Sequence, residues 1–298
     1  MITILGATGN VGKKIAGLLI KKGESLRLIA RSADPLKSMV SKNVEAMAGD
    51  AGSTEFLVTA FKSVDTVFTL LPPNPKAETF IPYADKIGES ISSALEIAKV
   101  KYVVNLSSIG AELPEGTGPI IGLHKQEERL DRIKGLNVLH VRAAYFMENL
   151  LGNIDLIKSK GIAGSAIRGD LKFPMIATKD IAAFAAERLV KKDFKGSSFR
   201  YLLGERNLSL TEVTELIGER IVKPGLAYVQ FPYEEAEKGL VAMGLSPDVS
   251  KRYVEMGRAF NDGKVRFEKR TAENTTPTSI EAFCDEVFVP LYMREKAA

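Results

Sequence analysis

An apolar run, Ile2-Thr3-Ile4-Leu5, leads into Gly6-Ala7-Thr8-Gly9-Asn10-Val11-Gly12, and helical spacing begins at Val11. Glycines three residues apart between a strand and a helix form a loop that can cradle a diphosphate. Gly6 allows the tight turn. Gly9 lets the backbone approach the phosphates, which sit at the positive end of the helix, with Thr8, Asn10 and Val11 in the same cradle. Gly12 lets the helix pack against the strand. The chemistry implied is dinucleotide binding. An NAD-binding unit places Asp or Glu about 20 residues beyond the loop, on the ribose 2′-hydroxyl. Here the second apolar run, Leu26–Ala30, ends in Arg31-Ser32. A carboxylate would repel a 2′-phosphate, whereas an arginine can hold it through paired charge-assisted bonds. Arg31 therefore favours NADP(H), against the alternative of a solvated strand-end arginine.

Further candidates stand at the ends of later runs. Asp50 follows Val44–Ala48 and either accepts from the adenine amino group or caps the next turn. Leu71-Pro72-Pro73 closes the run beginning at Thr66. Proline has no N–H and stops the strand, and that turn either lines the nicotinamide side or is a plain stop. Ser107-Ser108 ends Tyr102–Leu106, where its hydroxyls hold substrate or the nicotinamide ribose, or cap the turn. Tyr145, Phe146 and Asn149 start a crossing where aromatic rings can stack on a planar ligand or simply pack.

The elements that must carry these residues alternate strand and helix. Helices are expected over 11–22, from Ser53 through Ala60, over 79–99 and near 120–134, and a sixth strand over 137–141. A loop rich in Gly and Pro fills 110–119. This rhythm predicts an α/β fold with a doubly wound parallel sheet, and ligands in such sheets lie beyond the carboxyl ends of the strands. Later, 176–189 reads as a strand and a helix that Asp180 could cap. Phe199–Leu203 reads as a returning strand. Leu210–Ile217, Glu234–Met243 and Thr278–Phe288 read as helices, and 259–276 as polar loop. Residues 1–150 form the predicted dinucleotide-binding core, with 176–203 returning to it. Residues 151–175 and 204–298 form a smaller C-terminal α/β lobe.

Ile2–Gly12, Ala30-Arg31-Ser32, Ala48-Gly49-Asp50, Leu70–Pro73, Tyr145–Leu150, Ala177–Ala182 and Thr276–Ile280 together resemble the NmrA-like group of atypical short-chain dehydrogenases/reductases. The resemblance spans nearly the whole chain and implies a Rossmann core binding NADP(H). Some members of that group reduce quinones, triphenylmethane dyes or plant phenylpropanoids. Others bind the dinucleotide and act as redox-sensing partners of regulators.

Ordinary short-chain dehydrogenases protonate the substrate oxygen with Tyr-x-x-x-Lys. Counting back from Gly135-Leu136-Asn137, Ile120 takes the tyrosine position and His124 the lysine position. Isoleucine donates no proton. A free histidine side chain titrates near neutrality, so a histidine at position 124 suits proton donation, or His124 orients the nicotinamide end, or it is a helix histidine without chemistry. Lys125 lies about 100° around the helix and reads as solvated. His140 reads as a core histidine bonded to backbone. The run Glu127 to Lys134 reads as a solvated face of i,i+4 pairs.

Composition excludes other classes. Net charge is +4 over 298 residues, without basic clustering, which argues against nucleic acid. A single cysteine, Cys284, excludes a disulfide framework, and no metal-ligand cluster is visible. No signal or membrane span is expected, so the default is a soluble cytoplasmic protein. The expected function is NADPH-dependent reduction of a quinone-like or conjugated aromatic acceptor. The alternative is a non-catalytic NADP(H) sensor with a regulatory protein partner.

Overall fold

The computed structural model describes residues 1–32 and 34–294. Strands β1 (Ile2–Leu5), β2 (Leu26–Ala30), β3 (Val44–Ala48), β4 (Thr66–Thr69), β5 (Tyr102–Ser108), β6 (Asn137–Ala143) and β10 (Ser197–Leu202) form one sheet in the order β10-β6-β5-β4-β1-β2-β3. Every pairing is parallel. The order reverses at β1, between β4 and β2, which is where such sheets open a ligand crevice.

Alternate residues of each strand feed two cores. Ile4, Leu28, Phe68, Val104 and Val141 face helices α1 (Gly12–Lys21) and α6 (Thr178–Lys191), which pack on each other. Leu5, Ile29, Val67, Val103 and Val138 face α2 (Thr54–Phe61), α3 (Phe80–Ile97) and α4 (Ile120–Asp131). Strands covered on both sides explain the unbroken apolar runs. Ser53 caps α2 by accepting from Phe56 N at 3.3 Å.

The smaller lobe contains two small sheets. One joins β7 (Tyr145–Phe146), β9 (Phe173–Ile176) and β11 (Asn207–Leu208). The other joins β8 (Ile162–Ser165) and β12 (Ala227–Gln230). Its helices are α5 (Ile154–Lys160), α7 (Leu210–Arg220), α8 (Tyr233–Ala242) and α9 (Pro247–Asn261). The described residues end in α10 (Ile280–Phe283), a π turn over Cys284–Phe288, and α11 (Val289–Met293). No helix among the described residues is long and apolar enough to cross a membrane.

Several elements differ from their sequence reading. β4 stops at Thr69 rather than Leu71, so Leu70 and Leu71 already belong to the turn. The polar stretch 259–276 opens inside α9, which sequence reading passed over because charged residues separate its apolar positions. Asp180 does not cap α6. It sits in the first turn, and its carboxylate turns away to accept from Thr278 N at 2.9 Å and Thr278 Oγ1 at 2.6 Å. Cys284 is buried, and burial pushes its thiol up to about 12.

Asp180 thus anchors the C-terminal segment to α6. Removing it leaves a buried donor unpaired, so Asp180→Ala is expected to lose about 1–3 kcal/mol of unfolding free energy, measured by urea denaturation. A loss below about 0.5 kcal/mol would remove this anchor from the account of the fold.

Candidate active site

At the sheet's switch point Gly6 adopts φ +73°, a conformation open to glycine. A Cβ on Gly12 would lie 2.3 Å from the Gly6 carbonyl oxygen, so α1 is seated directly on the turn. The Leu70 side chain closes the other flank, 3.1 Å from where a Cβ on Gly6 would stand. Val11 begins the helix with no side-chain capping bond, and its first turn holds no acidic residue. The first-turn N–H groups therefore meet the crevice without a resident carboxylate, beside exposed Thr8, Gly9 and Asn10. This arrangement fits a diphosphate.

Around the neighbouring strand ends, Arg31, Asp50 and Pro72 converge on Tyr83 of α3. The Tyr83 hydroxyl donates to the Pro72 carbonyl at 2.8 Å. Burial raises its pKa, the Arg31 charge opposes this and Asp50 adds to it. Arg31 is exposed and forms no ion pair or hydrogen bond among the described residues. Asp50 Oδ1 accepts from Gly52 N at 2.9 Å, so the carboxylate also shapes its own turn. Tyr83 was not singled out by sequence, because one tyrosine in a long helix carries no signal of its own.

α4 brings the reacting-end candidates. Its Gly122 packs beside Leu71 and Ala84. Ile120 is buried, with its side chain against Gly110. His124 Nδ1 donates to the Ala111 carbonyl at 2.8 Å, which leaves Nε2 as the unprotonated nitrogen of the neutral ring, 3.7 Å from Glu128. Lys125 is half-buried rather than free in solvent, with Nζ 2.8 Å from Asp85 Oδ2.

Beneath α4 the sheet face turns polar toward its carboxyl end, where Val67, Val103 and Val138 give way to Thr69, Asn105, Ser107, His140 and Arg142. In one rung, Thr69 Oγ1 donates to Asn105 at 3.0 Å. Asn105 Nδ2 donates to His140 Nδ1 at 3.1 Å, and His140 Nε2 donates to Asp131 at 2.9 Å. In the next, Ser107 donates to Glu127 at 2.5 Å, and Arg142 reaches Glu127 Oε2 at 2.6 Å and the Tyr201 hydroxyl at 3.1 Å. His140 is bonded to side chains rather than backbone, and Glu127 is buried rather than solvated, because Arg142 points up from β6 and neutralises it. The Ser107 hydroxyl is accordingly turned toward Glu127. Tyr145 lies at the lobe boundary, its ring edge-on to Phe173 at 5.4 Å, with Phe260 and Phe267 continuing the cluster.

The stretches Tyr145–Leu150 and Ala177–Ala182 meet through Glu148. Its carboxylate accepts from Thr178 N at 3.0 Å, capping α6, and Lys14 of α1 reaches Thr178 Oγ1 at 2.8 Å and the Asn10 carbonyl at 3.1 Å. Sequence reading noted both stretches without assigning Glu148, Thr178 or Lys14 a task, since their partners lie far away in the chain.

The chain matches the NmrA-like family over residues 1–294, and it belongs to that family. It is 30% identical, over 67% of its length and 66% of the relative's, to a (4-alkanoyl-5-oxo-2,5-dihydrofuran-3-yl)methyl phosphate reductase of Streptomyces griseus subsp. griseus. Its fold is similar to that of the NADPH-dependent quinone oxidoreductase QOR2 of Escherichia coli, solved with NADPH (TM-score 0.83, 19% identity, 97% of this chain and 100% of that one). It is also similar to triphenylmethane reductase of Citrobacter sp., solved with NADP(H) (TM-score 0.80, 18% identity, 96% and 99%).

Asp131 supplies the pH test of the polar rungs. Burial would raise its pKa, but the bonds from His140 and Ser197 outweigh this and hold it below the ordinary aspartate range. A depressed carboxyl stabilises the fold above its unfolded value and stops doing so as pH falls toward its folded one. The melting temperature should therefore decline on acidification below about pH 4. Asp131→Asn should melt lower at neutral pH with a shallower acid decline. Parallel curves for the two proteins would exclude the effect.

Proposed function

We propose that this protein is an NADPH-dependent reductase of a quinone-like or conjugated aromatic acceptor. The observation that carries the reading is the glycine loop: a helix end with neither capping side chain nor acid, pressed onto Gly6 by Gly12. Gly6, Gly9 and Gly12, with Thr8, Asn10 and Val11, would hold the diphosphate. Unpaired Arg31 would hold the 2′-phosphate of NADP(H), and Asp50 would accept from the adenine. Leu71 and Pro72 would border the nicotinamide side, with Tyr145 toward the acceptor, while the Ser107 hydroxyl stays with Glu127. NADPH supplies the hydride. His124 would supply the later proton, the bond from Nδ1 to the Ala111 carbonyl fixing the ring's orientation. Relatives described as quinone, dye and furanone phosphate reductases support a planar, conjugated acceptor. With isoleucine buried at the usual acid position, positioning of the two rings provides most of the rate.

The second reading, an NADP(H)-sensing protein acting on a regulatory partner, draws its support from that same Ile120.

A titration of NADPH against NADH, repeated with Arg31→Asp, tests the site. The unaltered protein should prefer NADPH by about tenfold or more, and Arg31→Asp should erase the preference. Equal affinities in the unaltered protein would overturn the role of Arg31. NADPH oxidation across a quinone panel tests the reaction, and silence with every acceptor beside tight NADPH binding would favour the sensor. His124→Ala should lower turnover by about 10²-fold or more with cofactor affinity largely kept. Undiminished turnover would take His124 out of the mechanism.

A further inference from the structure

Helices α3 and α9 meet at their N-termini, beside the loop that leads from β4 into α3. α3 begins after Thr79, whose hydroxyl makes no capping bond, and its first turn carries no acidic residue. The cap comes from the smaller lobe: Asp248, in the first turn of α9, accepts from Phe80 N through Oδ2 at 2.7 Å, across 168 residues of sequence. Ser246 completes the junction. Its Oγ caps α9 by accepting from Val249 N at 3.2 Å and donates to the Ala77 carbonyl at 2.5 Å, while its N–H donates to the Pro75 carbonyl at 2.8 Å. Pro75, Ala77 and Phe80 are thus fastened to one turn of one helix.

The loop so fastened borders the crevice. At its start Leu71 packs beside Gly122, and the Pro72 carbonyl holds the Tyr83 hydroxyl, on which Arg31 and Asp50 act. Bonded groups therefore run from the smaller lobe, through residues 72–80, to the Tyr83 hydroxyl, and Arg31 and Asp50 stand near enough to that hydroxyl to act on it through their charges. A carboxylate at a helix N-terminus is held by the aligned peptide dipoles as well as by its bond.

We propose that Asp248, assisted by Ser246, is a positioning residue. It fixes the loop between β4 and α3 against α9, so that the seat of the smaller lobe and the grip on the dinucleotide are set together. The proposal rests on the reading of this crevice as the NADPH site.

Three variants test it: Asp248→Ala, Asp248→Asn, which keeps an acceptor oxygen for Phe80 N, and Ser246→Ala. NADPH affinity is read by fluorescence titration and the loop by amide hydrogen exchange over residues 72–80. Asp248→Ala should raise the NADPH Kd about fivefold and speed exchange in the loop, Asp248→Asn should recover most of both, and Ser246→Ala should fall between. With a competent acceptor, KM for NADPH should rise in step while kcat stays within about twofold. A merely structural role would instead lower the melting temperature and the active fraction, with KM unmoved.

An unchanged Kd and unchanged loop exchange in folded Asp248→Ala would overturn the proposal. If that variant does not fold, the same result in Ser246→Ala would do so. Failure of the unaltered protein to bind NADPH would bring down the reading of the crevice as well. Binding without turnover would bring down only the reductase assignment.

Discussion

The candidate site depends on one steric constraint: α1 sits so near the end of β1 that no side chain fits at Gly12. The position a Cβ would occupy is 2.3 Å from the Gly6 oxygen. That approach places the helix axis over the turn and points its unsatisfied N–H groups into the opening between β1 and β4. Because α1 also packs on α6, the same contact aligns the helical layer on that face. The sheet order then sets Arg31 and Asp50 beyond the ends of β2 and β3, and Leu71 and Pro72 beyond β4, with Tyr83 of α3 between the two groups.

A second theme is the use of carboxylates from distant parts of the chain. α6 takes its cap from Glu148 and α3 from Asp248, while Asp180 spends its oxygens on Thr278. Short-range caps of the Ser53 kind stabilise a helix alone, whereas a borrowed cap also fixes where two segments stand relative to each other. Tyr145–Leu150, Ala177–Ala182 and Thr276–Ile280 are tied to one another in this way, which gives a physical reason for the polar residues they carry. α4 follows the same logic on its inner face, where Glu127 and Asp131, four residues apart, each take up one polar rung of the sheet.

The legible part of the sequence was the part governed by local rules. The five inner strands of the main sheet appear as largely apolar runs, because burial on both faces leaves little room for alternation, and the glycine loop announces itself by spacing. What could not be read depends on partners far away. Glu127 looked solvated because nothing near it in sequence reveals that Arg142 rises beneath it. His140 looked like a histidine bonded to backbone because Asn105 and Asp131 come from two other elements. α9 was passed over because its many charged residues make it polar overall despite a clear apolar face, and β8 and β12 mix small and polar residues in place of an apolar run. Within the candidate site, the glycines, Arg31 and His124 could be named from sequence. Tyr83, Lys14 and Thr178 could not, because each gains its place only from a tertiary neighbour.

The one cysteine in the chain has a further bearing on the proposed chemistry. Quinones are electrophiles that add to thiolates, and a protein that handles them risks arylation of its own sulfur. Cys284 opens the π turn near the C-terminus, where its side chain is buried and burial favours the neutral thiol. The nucleophile such a compound would attack is thus kept both out of reach and protonated.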